Sequence, residues 1–172
     1  MTAHVVELFR RCVAEAPDAV AVVDGAATLS YRELDEQVRT LSARLTDEGA
    51  GPCGLVGMCL ARSPSLVTGV LATLATGAAY VPFDASYPEH RLRTMREQAG
   101  VRLILSDRGM VRTLRFLEQA AGDARIVLTD ELGPLGPVTF VVSECGPGGG
   151  LNERRQRRWT RAPDPCINVL GI

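Results

Sequence analysis

Apolar and polar positions along the first 130 residues follow two periods that alternate. From about residue 4 to 16, Val5, Leu8, Phe9, Cys12, Val13 and Ala16 recur at helical spacing, with Arg10, Arg11 and Glu15 largely between them. That is the pattern of an amphipathic helix, and Pro17 ends it. Ala19 to Val23 is a β-prone run, and Asp24-Gly25 is a hairpin turn signal leading into Thr28-Leu29-Ser30. Ser30 and Glu33 have the spacing of a capping box, in which the hydroxyl accepts from the Glu33 amide and the carboxylate reaches back. Leu34, Val38, Leu41 and Leu45 then share one helical face until Gly49 and Gly51-Pro52 stop it.

Leu55 to Leu60 predicts a buried strand. Ser63-Pro64 opens a helix running to about Thr76, packed by Leu66, Val70, Leu71 and Leu74 and ended by Gly77. Ala78 to Val81 reads as another buried strand, closed by Pro82 before Asp84 begins a turn. Ser86 or Tyr87 ahead of Pro88 starts a helix that Leu92, Met95 and Ala99 continue to Gly100. Val101 to Leu105 is a strand, about Met110 to Ala121 one helix, and Arg125 to Leu128 a strand. Strands alternating with helices of this length imply parallel βαβ units and a covered sheet. The predicted fold class is α/β with a mostly parallel sheet.

The pattern changes after about Asp130. Gly133-Pro134, Gly136-Pro137 and Gly146-Pro147 with three further glycines crowd the tail, and five arginines fall between Arg154 and Arg161 around Trp159. Only Val138 to Val142 looks like a structural element. The chain therefore divides into 1–130, a structured unit, and 131–172, a Gly/Pro/Arg-rich tail expected to be disordered.

Composition narrows the chemistry. Of 172 residues, 46% are hydrophobic and 23% charged, enough for one ordinary domain with a core. A net charge of −1 gives no global field for nucleic acid or an anionic membrane. All 19 basic residues are arginine, which stays protonated and cannot act as a tunable base or Schiff-base amine. Cys12, Cys53, Cys59, Cys145 and Cys166 form no CxxC pair, and His4 and His90 lie far apart, so neither a zinc site nor a disulfide framework is expected. No apolar run reaches bilayer-spanning length and no signal peptide opens the chain, so the cytoplasm is the expected compartment.

Three segments in order go beyond fold class: Leu29-Ser30-Tyr31-Arg32-Glu33-Leu34; Leu71 through Gly77-Ala78-Ala79-Tyr80-Val81-Pro82-Phe83-Asp84; and Tyr87-Pro88-Glu89-His90-Arg91-Leu92, leading to Leu103-Ile104-Leu105-Ser106-Asp107. Together they resemble the opening motifs of amino-acid adenylation domains of nonribosomal peptide synthetases, within the adenylate-forming (AMP-binding) superfamily. The resemblance runs from about Val5 to Asp130, and it departs from the family where Ala75 and Thr76 replace the usual lysine and alanine. Residue by residue these motifs read as structural, bracketing helix starts and strand ends.

The resemblance implies an enzyme that joins an amino acid to AMP from ATP, with magnesium, and passes it to a carrier protein. Its phosphate loop ending in Pro-Lys-Gly, its ribose contacts and its late lysine would all lie downstream of the matched region, as would the residues that set amino-acid specificity. No catalytic, cofactor-binding or metal residue is therefore assigned here. Ser143-Glu144-Cys145-Gly146-Pro147-Gly148-Gly149-Gly150 has the setting of a phosphate loop, but Glu144 would repel phosphate and the Pro-Lys-Gly ending is absent. The arginine run reads as a solvated tail rather than a nucleic-acid contact. The expected protein is the opening fragment of an adenylation domain, inactive alone and followed by unrelated or frameshifted sequence. Its parent would resemble a loading or stand-alone activating enzyme. Two alternatives are a complementing module for a synthetase partner and a small nucleotide-binding α/β domain. A fragment of this kind would leave an open edge strand and an uncovered apolar face, and so would be marginally stable and association-prone.

Overall fold

The computed structural model describes residues 5–25, 27–120 and 124–129, and the strands at 138–145, 151–153 and 157–159. Helix α1 (Val5–Glu15) precedes the antiparallel hairpin of β1 (Val20–Asp24) and β2 (Ala27–Ser30), with Gly25 in the turn. Helix α2 (Tyr31–Asp47) begins at the capping box. The Glu33 amide donates to Ser30 Oγ at 3.2 Å, while the Ser30 amide and hydroxyl donate to Glu33 Oε2 at 2.8 and 2.9 Å. Both residues are buried, so the box satisfies its own polar groups where water cannot. Leu34, Val38, Leu41 and Leu45 form the buried face of α2, as their spacing predicts.

The main sheet follows: β3 (Leu55–Cys59), α3 (Pro64–Ala75), β4 (Ala79–Pro82), α4 (Glu89–Ala99), β5 (Leu103–Ser106), α5 (Arg108–Thr113), α6 (Arg115–Ala120) and β6 (Arg125–Leu128). Strands run β4-β3-β5-β6, all parallel. β7 (Val138–Cys145) joins β6 antiparallel, and β8 (Leu151–Glu153) and β9 (Arg157–Trp159) each pair antiparallel with β7. This is the expected α/β class with a mostly parallel sheet. One face, bearing Val56, Met58, Leu103, Leu105 and Val127, packs with residues of α1, α2 and α3. The other, bearing Cys59, Ile104, Ile126 and Leu128, packs under Leu92 of α4 and Phe116 and Leu117 of α6. Phe83 and Phe116 meet edge-on there, with centroids 5.4 Å apart.

One local expectation is refined and two are corrected. Leu66, Val70 and Leu71 of α3 pack against the core as expected, each half-buried, while the most deeply buried residues of the helix are Thr68, Gly69, Ala72 and Thr73. A Cβ on Gly69 would stand 2.7 Å from Leu105 Cδ2, so only small residues let α3 lie this close to the sheet. β4 is not buried, because it is the outermost strand and most of its residues are exposed. The helix expected over 110–121 is two helices, broken at Leu114, whose backbone is extended and whose side chain is buried. Asp107 caps the first, and Glu89 of α4 accepts the Arg115 amide at 3.0 Å where the second begins. A carboxylate from a distant element thus satisfies a donor that the break exposes.

Within 131–172 the expected strand at Val138 to Val142 lies inside β7. Most of the remaining tail lies outside the described residues.

Candidate functional site

In the parallel part of the sheet the chain passes from β3 outward to β4, then back across β3 to β5. The direction of travel reverses there, and in open α/β sheets ligands bind beyond the carboxyl ends of the strands at such a reversal. The groups at this edge come from the ends of β3, β4, β5 and β6, namely Cys59, Asp84, Ser106, Asp107 and Thr129, with Arg62 close by.

Ser106, Thr129, Asp107 and Asp84 each have a structural task. Ser106 Oγ donates to the Cys59 carbonyl at 2.8 Å. The Thr129 amide and hydroxyl donate to the Ser106 carbonyl at 2.8 and 3.3 Å. Asp107 Oδ1 accepts the Met110 amide at 2.8 Å and so caps α5. Asp84 Oδ1 accepts the Ser86 amide at 2.8 Å, forming the expected turn. The Ser86 hydrogen bonds, helped by nearby Arg62, hold the Asp84 carboxyl below the usual range. Burial pushes the Cys59 thiol up to about 11, and the neighbouring Asp107 and Asp84 carboxylates reinforce this. A buried thiol kept protonated at neutral pH is no nucleophile.

No nucleophile–base pair emerges from this arrangement. His90 is exposed on α4, and His4 lies outside the described residues. Among the described residues no group of three His, Cys, Asp or Glu side chains could hold a metal ion. Asp84 and Asp107, the carboxylates at the strand ends, each use Oδ1 to accept a backbone amide. Ser143 to Cys145 of the glycine-rich segment lie in β7, while Gly146 to Gly150 fall outside the described residues, as does part of the Arg154 to Arg161 run. A groove of about 550 Å³ between α1, α2 and α3 has a floor including Phe9, Val13 and Val38, and its Asp35 and Arg39 are paired with each other at 2.7 Å. No helix among the described residues is long and apolar enough to cross a membrane.

Several residues of the three motif segments have structural contacts. Tyr31 packs against Phe9, with centroids 6.2 Å apart. Gly77 ends α3 with φ of 84° and with Pro52 Cγ 3.2 Å from where a Cβ would stand, which only glycine tolerates. The Arg91 guanidinium lies 4.3 Å from the Tyr87 ring centre, and Leu92 is fully buried. The Glu89 bridge to α6 is encoded by no local sequence pattern. The cap by Asp107 was legible in principle, since an aspartate ahead of a helix is an N-terminal signal.

The profile of the AMP-binding enzyme family matches residues 9–147. The chain belongs to that family. The matched span extends past residue 130 and includes β7. Among curated relatives, gramicidin S synthase 2 of Brevibacillus brevis is 36% identical over 110 residues, 64% of this chain and 2% of the relative. Bacitracin synthase 3 of Bacillus licheniformis is 37% identical over 149 residues, 83% of this chain and 2% of the relative. The chain thus spans a small fraction of the length of these synthetases. Among solved structures, the nonribosomal peptide synthetase FmoA3 in its AMPPNP-bound form matches with a TM-score of 0.66 and 28% identity, covering 81% of this chain and 17% of that one. The N-terminal subdomain of Klebsiella oxytoca NpsA, in complex with anthranilyl-AMSN, matches with a TM-score of 0.60 and 26% identity, covering 84% of this chain and 42% of that one.

Proposed function

We propose that this chain supplies the opening scaffold of an amino-acid adenylation unit and none of its reacting groups. The complete unit would form an aminoacyl-AMP from ATP and an amino acid, with magnesium, and deliver it to a carrier protein in nonribosomal peptide synthesis in the cytoplasm. The observation that carries this reading is the family match over residues 9–147. It is joined by the strand-end groups, where Asp107 caps a helix, Asp84 closes a turn and Ser106 donates to the Cys59 carbonyl. With no lysine in the chain, the compact cation and the phosphate-binding donors that adenylation demands must come from other residues. Since the family match carries recognisable sequence to residue 147, we place the change to unrelated or frameshifted sequence there.

A chimera tests the reading. Residues 9–147 would replace the corresponding segment of an active adenylation domain, and amino-acid-dependent ATP–pyrophosphate exchange would be measured. Retained exchange with the host's amino-acid preference is the expected result. A folded chimera with no exchange, or one with a changed preference, would count against a purely scaffolding role.

A further inference from the structure

We propose that β8 and β9 are two parts of one return strand that seals the outer edge of β7, and that this seal keeps an uncharged, β-prone strand from pairing with other chains. The registers carry the first half. Both strands run antiparallel to β7, with Ser143 facing Glu153 and Phe140 facing Arg157. The step from Ser143 to Phe140 is three residues on β7, and the step from Glu153 to Arg157 is four. One extra residue on one side is the count of a β-bulge within a continuous strand. A β9 on the side of β7 that β6 occupies would instead have to lie about 10 Å sideways and about 10 Å along from β8. That is the whole reach of about 14 Å for four extended residues, with nothing left to pass round β7. The residues joining β7 to β8 are four glycines and Pro147, the composition and length of a hairpin link.

The two strands differ in character, which carries the second half. Val138 to Ser143 carry no charge and are mostly β-branched or aromatic. A six-residue run of this kind on a bare sheet edge is a template for pairing with another chain. Residues 151–159 hold four arginines and one glutamate, and charged residues on an outermost strand discourage further pairing. The seal lies beyond residue 147, where the family match ends, so that match does not account for it.

Amide hydrogen exchange of the full chain, read residue by residue by NMR, tests the pairing. The informative amides are those of Thr139, Phe140, Glu144 and Cys145, which lie outside the stretch of β7 that β6 covers. The test variant is Asn152→Pro/Glu153→Pro/Arg157→Pro/Arg158→Pro. Neighbouring N–H groups point to opposite sides of a strand, so adjacent prolines remove whichever faces β7. Asn168→Pro/Val169→Pro is the control. The four β7 amides should be protected in wild type and control and exchange roughly tenfold or more faster in the test variant, while β3 and β5 keep their protection. Sedimentation velocity at matched concentrations should then show the test variant associating more strongly than wild type and control.

Free exchange of the four amides in the wild type, or unchanged exchange in the test variant, would overturn the return strand. Loss of protection without added association would overturn the seal. Should the four prolines also strip protection from β3 and β5, Asn152→Pro/Glu153→Pro alone, which frees only the Ser143 to Cys145 end, takes its place with the same two readings.

Discussion

Cys53 is held at φ 64°, in the left-handed region, between Pro52 and Gly54 in the turn that leads into β3. A non-glycine residue there costs about 1–2 kcal/mol, while a glycine loses more chain entropy on folding, about 0.5–1 kcal/mol. Cys53 is exposed, so its side chain offers little packing to lose. Cys53→Gly is therefore expected to stabilise the fold by about 0.5 kcal/mol, read as a higher urea midpoint at unchanged slope. Cys59 makes the opposite case, being fully buried with its thiol raised to about 11. An acid whose folded-state pKa is raised releases its proton first in the unfolded chain. Its contribution is complete below the ordinary thiol value of 9.0 and is lost as pH climbs towards about 11. Urea midpoints measured across that window should fall with pH in the wild type and fall less in Cys59→Ala, once each is referred to its own value at pH 8. Equal slopes would show that Cys59 does not set the alkaline limb.

At the scale of elements, Gly69 fixes how closely α3 approaches the sheet. Gly69→Ala gains about 1 kcal/mol of helix propensity but sets a Cβ 2.7 Å from Leu105 Cδ2, on a side chain with no exposed surface to retreat into. Overpacking of this kind costs about 1–3 kcal/mol, so a net loss of stability is expected, checked by chemical denaturation. This contact also marks what the sequence could and could not reveal. The α2 cap was legible because Ser30 and Glu33 are three residues apart and complete each other locally. The α2 core face was legible because Leu34 to Leu45 repeat at helical spacing. The α3 face was legible only in part, because hydrophobicity picks out Leu66, Val70 and Leu71, which pack half-buried, whereas the approach distance selects Thr68, Gly69, Ala72 and Thr73. The exposure of β4 depends on which strands lie beside it, and the break at Leu114 on a carboxylate from α4. Both are tertiary facts that no short window carries.

For the whole molecule, the sheet order brings Cys59, Asp84, Ser106 and Asp107 to one edge, where a ligand would bind in a doubly wound fold. The resemblance named the family from motifs whose residues cap, turn and pack. The strand-end network was invisible beforehand, since the Ser106 bond to Cys59 depends on the pairing of β3 with β5. On the function proposed above, the chain is a scaffold whose reacting groups are supplied by other residues. The decisive assay is ATP–pyrophosphate exchange by the purified 172-residue chain, measured with each proteinogenic amino acid in the presence of magnesium. The expected result is no exchange above the protein-free background with any of them. Amino-acid-dependent exchange by the chain alone, abolished by changing a residue within it, would show that the chain carries reacting groups after all.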